Sequence, residues 1–183
     1  MITLITGGSG SGKSAYAENQ VLLEGEARRI YIATMYPYDE ESHRRIERHR
    51  RMRAGKGFET VECYTNLKKL QVPKDSVVLL ECMSNLVANE MFQPKGAHGR
   101  TVQEIMQGIH MLEEQVRHLF IVTNEIFSDS MEYEEQTRLY QKYLGLINVK
   151  IARMADRVVE VVYGIPIENK KGKKKNDSIV EQF

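Results

Sequence analysis

The sequence predicts an α/β domain whose mostly parallel sheet is flanked by helices. Three observations carry this. Short apolar, β-branched runs recur along the chain, stretches of helical composition alternate with them, and the first run opens into a glycine-rich loop. Alternating strands and helices imply crossover connections, which keep neighbouring strands parallel and cover both faces of the sheet. The chain's 183 residues are the size of one domain. Its 42% hydrophobic and 28% charged residues suffice to bury a core and stay dissolved, which argues against disordered, collagen-like and membrane classes.

Ile2–Thr6 (ITLIT) reads as a buried strand ending at glycines. Ser14 to Glu24 favours helix, and Gly25 stops it. Arg29–Thr34 (RIYIAT) is a second strand. Asp39 through Arg53 is helical, opened by acids and closed by arginines, the order a helix dipole prefers. Phe58–Glu62 alternates as a strand, and Ser76–Leu80, Leu119–Thr123 and Val158–Val162 are three more. Helices are expected at Asn85–Phe92, Thr101–His118 and Met131–Ala155, with a Gly- and Pro-containing loop at Gln93–Arg100. Asn169–Lys175 (NKKGKKK) has no apolar periodicity. The organisation expected is therefore a domain over 1–168 and a solvated, flexible, lysine-rich tail over 169–183.

With 26 basic and 25 acidic residues the formal net charge is +1, so the whole protein gives no reason to expect nucleic acid or an anionic membrane as partner. Two cysteines, Cys63 and Cys82, make neither a disulfide framework nor a metal knuckle. No basic leader precedes the first strand, and no apolar run approaches the ~18 residues that cross a bilayer. A cytoplasmic location is expected.

Gly7-Gly8-Ser9-Gly10-Ser11-Gly12-Lys13-Ser14 matches the P-loop pattern G-x-x-x-x-G-K-[ST]. Its glycines let successive backbone N–H groups turn inward onto phosphate oxygens. Lys13 reaches the terminal phosphates and the Ser14 hydroxyl ligates Mg²⁺. A strand before the motif and a helix after it supply the context this chemistry needs, including a helix N-terminus aimed at the phosphates. Glu81, after the apolar run from Val77, is a candidate for the Mg²⁺-linked acid, and Asn124-Glu125 closes the next strand in the same way. Ligands of open α/β sheets gather at the carboxyl ends of strands, so these residues are expected at one crevice.

Residues 44–53 read RRIERHRRMR, holding six of the chain's thirteen arginines around His49. On a helix, Arg45, His49 and Arg53 share a face. Such a run is a solvated basic face, a nucleic-acid-binding helix or a phosphate clamp. Crowded arginines repel one another unless an anion relieves them, and the P-loop already predicts a triphosphate. A histidine among arginines also suits nucleophilic attack on a phosphoryl group, whose developing charge the guanidiniums stabilise.

Together, ITGGSGSGKS, YIAT (Tyr31–Thr34), RIERHRRMR (Arg45–Arg53), TVEC (Thr60–Cys63), LLECMSNLVAN (Leu79–Asn89), IVTNE (Ile121–Glu125), YLGLINVKIARMAD (Tyr143–Asp156) and VVYGIP (Val161–Pro166) resemble one family. It is the bifunctional adenosylcobinamide kinase/adenosylcobinamide-phosphate guanylyltransferases of cobalamin synthesis. The resemblance implies a P-loop NTPase (RecA-like) fold and two reactions. A nucleoside triphosphate, GTP or ATP, phosphorylates adenosylcobinamide. GTP then transfers GMP to adenosylcobinamide phosphate through a guanylyl-histidine, releasing pyrophosphate. It puts the intermediate on His49, with His43 the fallback, and carries over as nucleotide contacts Gly7–Ser14, Thr34, Met35, Tyr36, Arg50, Arg51, Met52, Arg53, Glu62 and Glu81. It also implies a homotrimer.

Two alternatives remain at this level: a P-loop small-molecule kinase without guanylyltransferase activity, and a nucleic-acid-binding NTP switch. The near-neutral whole and the lack of aromatics within the basic run count against the second. Members usually carry Trp just before the T-x-E segment; this chain has Phe58 and no Trp anywhere. A ring against a ligand there would alter affinity, whereas a core ring would change little.

Overall fold

A computed structural model describes residues 1–125 and 134–171. Seven strands form one sheet: β1 (Ile2–Thr6), β2 (Arg29–Ala33), β3 (Phe58–Glu62), β4 (Val77–Glu81), β5 (His118–Val122), β6 (Arg157–Val162) and β7 (Ile165–Lys170). Their spatial order is β3-β2-β4-β5-β1-β6-β7. All neighbouring pairs are parallel except the last, an antiparallel β6–β7 hairpin.

The central strands are short and β-branched because both of their faces are covered. Ile2, Leu4, Val78, Leu80, Leu119 and Ile121 point to one face. That face packs on α3 (Met83–Phe92), α4 (Thr101–Glu113) and α5 (Glu135–Met154). Ile5, Tyr31, Leu79, Phe120 and Val122 point to the other, against Ala17 and Val21 of α1 (Lys13–Leu22). Phe58 meets Tyr31 edge-on with centroids 6.2 Å apart, packing against this second core cluster. Phe58 is thus a half-buried ring at the margin of the core.

The remaining helix, α2 (Glu40–Arg53), buries only Arg53. It is held at its start by a capping box: Ser42 N–H donates to Asp39 Oδ1 at 2.7 Å and Asp39 N–H donates to Ser42 Oγ at 3.0 Å. At its far end Lys56 pairs with the buried Glu18 of α1 at 2.5 Å.

Expected and observed boundaries differ by a few residues at most element ends. The helix expected over Thr101–His118 stops at Glu113, because His118 opens β5. The helix expected from Met131 begins at Glu135; residues 131–133 lie outside the described residues. A larger correction falls at the C-terminal end. The 168 boundary cuts through β7, which sequence reading missed. Its first lysine is exposed but anchored: Lys170 Nζ donates to the carbonyls of Ala152, Arg153 and Ala155, capping the negative end of α5. The rest of the expected tail, 172–183, lies outside the described residues.

Candidate active site

β1 delivers the P-loop to the carboxyl edge of the sheet, and the sequence there permits little else. A Cβ on Gly7 would lie 2.5 Å from the Val161 carbonyl oxygen and 2.6 Å from Ser11 Oγ. Gly12, the N-cap of α1, has φ 91°, a left-handed conformation that glycine adopts without strain. α1 has no side-chain cap, so its first N–H groups are free for an anion. Lys13 is 8% exposed and its ammonium donates to Gly8 O at 3.0 Å. Burial holds its pKa below 10.5, against the opposing charges of Cys82 and Glu81.

The adjoining cavity, of about 440 Å³, is lined by Ser9 through Ala15 of the P-loop and α1. Across from them α2 contributes Arg45, Ile46, Arg48, His49, Arg50, Met52 and Arg53. Glu81 ends β4 and is 7% exposed. Ser14 Oγ donates to its Oε1, and the same oxygen lies 3.6 Å from His49 Nδ1. The Arg53 guanidinium stacks 3.4 Å above the centroid of Tyr31. Burial foremost, then the Glu81 charge, push the Tyr31 phenol well above its ordinary pKa.

Six buried side-chain polar atoms lack a hydrogen-bond partner among the described residues, and four of them belong to residues lining this cavity. They are Ser11 Oγ, His49 Nδ1, Arg53 Nη1 and Glu81 Oε2. Buried polar atoms are normally satisfied, so this convergence marks a place built for a polar ligand.

The family model for cobinamide kinase / cobinamide phosphate guanyltransferase matches residues 3–169. The chain belongs to this family. It is a P-loop, nucleotide-using transferase of cobalamin biosynthesis, with kinase and guanylyltransferase activities. It is 30% identical to the bifunctional adenosylcobalamin biosynthesis protein CobU of Salmonella typhimurium, over 93% of this chain and 100% of that one. The corresponding protein of Escherichia coli is 32% identical over the same shares. Among solved structures, a type III secretion system ATPase superposes with a TM-score of 0.54 at 9% identity, over 91% of this chain and 56% of that one. A protein of Pyrococcus horikoshii OT3 gives 0.51 at 9% identity, over 95% and 87%. These likenesses concern the fold.

Of the residues carried over from the family, Ser9–Ser14, Met35, Arg50, Met52, Arg53, Glu62 and Glu81 line the cavity, and so does His49. Gly7 and Gly8 shape the loop behind it. Thr34 is fully buried: its hydroxyl donates to Cys82 O at 2.8 Å and its carbonyl accepts from Asn89 Nδ2 at 2.8 Å, so it braces the wall. Tyr36 lines a neighbouring groove, its ring tilted against Tyr38 and edge-on to Tyr64. Arg51 and the fallback His43 are exposed on α2 and outside the cavity lining. Asn124 does face the expected crevice, donating to Ser84 Oγ at 2.7 Å. Sequence reading missed Thr60, Tyr64 and Asn85 as lining residues. It also expected only an anionic ligand to relieve the arginines. Three are paired within the protein: Arg44 with Glu40 at 3.1 Å, Arg45 with Glu41, and Arg50 with Glu62 at 3.4 Å.

No group of three or more His, Cys, Asp or Glu side chains converges as a metal site among the described residues. A P-loop Mg²⁺ needs none, since one or two protein oxygens suffice beside phosphate and water. Ser14 Oγ next to the unpartnered Glu81 Oε2 fits that donor set.

Proposed function

We propose that one P-loop serves two successive transfers. First, the hydroxyl of the aminopropanol arm of adenosylcobinamide attacks the γ-phosphorus of a nucleoside triphosphate. The new O–P bond forms, the bond to the β-phosphate oxygen breaks, and the hydroxyl proton is released. Second, a ring nitrogen of His49 attacks the α-phosphorus of GTP and pyrophosphate leaves. A phosphate oxygen of adenosylcobinamide phosphate then displaces His49 from that phosphorus, giving adenosylcobinamide-GDP.

The observation that carries this reading is the place of His49, beside the buried Glu81 that accepts from the P-loop Ser14. Glu81 Oε1 lies 3.6 Å from the still unpartnered Nδ1, and closing that gap into an Nδ1–H to carboxylate hydrogen bond would leave the Nε2 lone pair for attack. Lys13 and the P-loop amides hold the leaving phosphates, while Arg53 and Arg45 face the transferred group. Mg²⁺ held at Ser14 and Glu81 would neutralise charge on the phosphates when bound. We take the family resemblance as support for a homotrimer in the cytoplasm. Within the described residues, no helix is long and apolar enough to cross a membrane. A solution mass near three chains of 21.1 kDa would check the trimer.

The test of the chemistry is label transfer. Incubation with α-labelled GTP and Mg²⁺ is expected to leave label on the protein, labile in acid and stable in alkali. His49→Ala should abolish labelling and guanylyl transfer while phosphorylation of adenosylcobinamide persists. An unlabelled wild-type protein sinks the guanylyl-histidine.

A further inference from the structure

The β6–β7 hairpin turns through two residues, since Val162 pairs with Ile165. Both turn residues have positive φ, 51° at Tyr163 and 80° at Gly164, as a type I′ turn requires. Asn, Asp or Gly suits the first of these positions, and a bulky aromatic is a costly choice there. Tyr163 recovers nothing by packing, being 95% exposed. A strained residue with no structural return points to a role outside the fold.

Its surroundings say which role. The Gly164 N–H donates to Ser11 O at 2.8 Å, and a Cβ on Gly12 would come 3.3 Å from Gly164 Cα. The turn therefore rests directly on the P-loop. Because β1 lies between β5 and β6, the P-loop divides the carboxyl edge of the sheet into two flanks. Glu81 of β4, Asn124 after β5 and His49 occupy one. The tip of the β6–β7 hairpin occupies the other.

The two proposed transfers need both flanks. One moves the γ-phosphorus and the other the α-phosphorus, yet the reacting groups cluster at a single locus where Ser14, Glu81 and His49 meet. A triphosphate is a linear chain with its nucleoside at the α end. Laid in the cradle with the α-phosphate at Glu81, it puts the nucleoside on the α2 flank. Laid with the γ-phosphate at Glu81, it puts the nucleoside at the opposite end, over the hairpin.

We propose that Tyr163 is a base-stacking residue for the phosphoryl donor of the kinase step, on the flank opposite the guanylyl site. An exposed ring beside a phosphate cradle offers a π-face to any purine, and alanine substitution of such stacks commonly weakens binding by about five- to one-hundredfold. The assignment rests on the two-transfer reading above, and the experiment separates the two.

The test uses the full chain with Tyr163→Asn, which suits the type I′ turn and removes the ring, and Tyr163→Phe, which keeps the ring. The KM for ATP is measured in phosphorylation of adenosylcobinamide, and the GTP concentration dependence of self-labelling is measured alongside. Tyr163→Asn should raise the ATP KM about tenfold, leave the GTP dependence of labelling in place, and leave thermal stability equal or higher. Tyr163→Phe should match wild type. An unchanged ATP KM in Tyr163→Asn overturns the proposal, as does an equal loss in both assays or a changed solution mass with both activities lost together. If wild type takes up no label, the two-transfer reading fails, and the ATP measurement alone then decides the stacking role.

Discussion

The two walls of the nucleotide cavity are built on opposite terms. The P-loop wall grows out of β1, which is buried almost throughout, and its lysine is held by a backbone carbonyl under the surface. The α2 wall carries the nucleophile on a helix that buries a single residue and whose arginines mostly face water. Phosphate grip is thus invested in the sheet, where any shift disturbs packing. The histidine is placed on an element that the core scarcely supports. Damage to the first wall should cost folding and both reactions, and damage to the second should cost guanylyl transfer with little loss of stability.

The largest expected exception to that rule is Lys56, just beyond α2. Its partner Glu18 is fully buried on α1, and one of its carboxylate oxygens already lacks a partner. Removing one member of a buried pair leaves an uncompensated charge, a loss of about 3 kcal/mol at the lower end of the usual range because Lys56 keeps some contact with water. Lys56→Ala should therefore lower the denaturant midpoint strongly although it changes the α2 side. Adding Glu18→Leu should restore most of the loss. A midpoint unmoved by Lys56→Ala would mean that α2 is even less tied to the fold than its burial implies.

Gly7→Ala tests the other wall. The added methyl meets the backbone carbonyl oxygen of Val161 at 2.5 Å, which resists movement, and the Ser11 hydroxyl at 2.6 Å. Overpacking of this kind costs about 1–3 kcal/mol. More tellingly, kinase and guanylyl rates should fall together, because the cradle is common to both. Loss of only one activity would show that the two reactions do not share it.

The same contrast explains what could be read from the sequence. The P-loop was legible because its chemistry is local: eight consecutive residues, a strand before and a helix after. Five inner strands were legible because burial on both faces leaves apolar runs. β7 was not, since IPIENK is exposed throughout, contains Pro166 and leads into lysines. The meeting of His49 with Glu81 was not legible from pattern either. It depends on β2 lying between β3 and β4, a long-range fact that places the end of β4 under α2. Nothing in the sequence around Tyr163 announces its positive φ or the contact of its neighbour Gly164 with the P-loop.

The smallest expected effect concerns the opposite edge of the sheet, away from both walls. His118 opens β5, contacts Thr3 Oγ1 through Nε2 at 2.9 Å and Glu24 Oε1 through Nδ1 at 2.8 Å, and stacks on Phe120. Burial holds its pKa below 6.5; Glu24 and Asp156 oppose that shift, and the N-terminal ammonium adds to it. Arg117, which also pairs with Glu24, completes the charges around it. Since the unfolded chain takes up this proton at a higher pH than the folded one, stability should be full above about 6.5. It should decline as pH falls from there to the lower folded value, then level off. Urea midpoints between pH 8 and 5 would trace that decline, and His118→Gln, which can keep one hydrogen bond on either side, should flatten it. Guanylyl labelling at pH 8 should be the same in both proteins, because this edge supports the sheet without touching either wall of the cavity. A variant that lost labelling there would show that the two ends of the sheet are coupled.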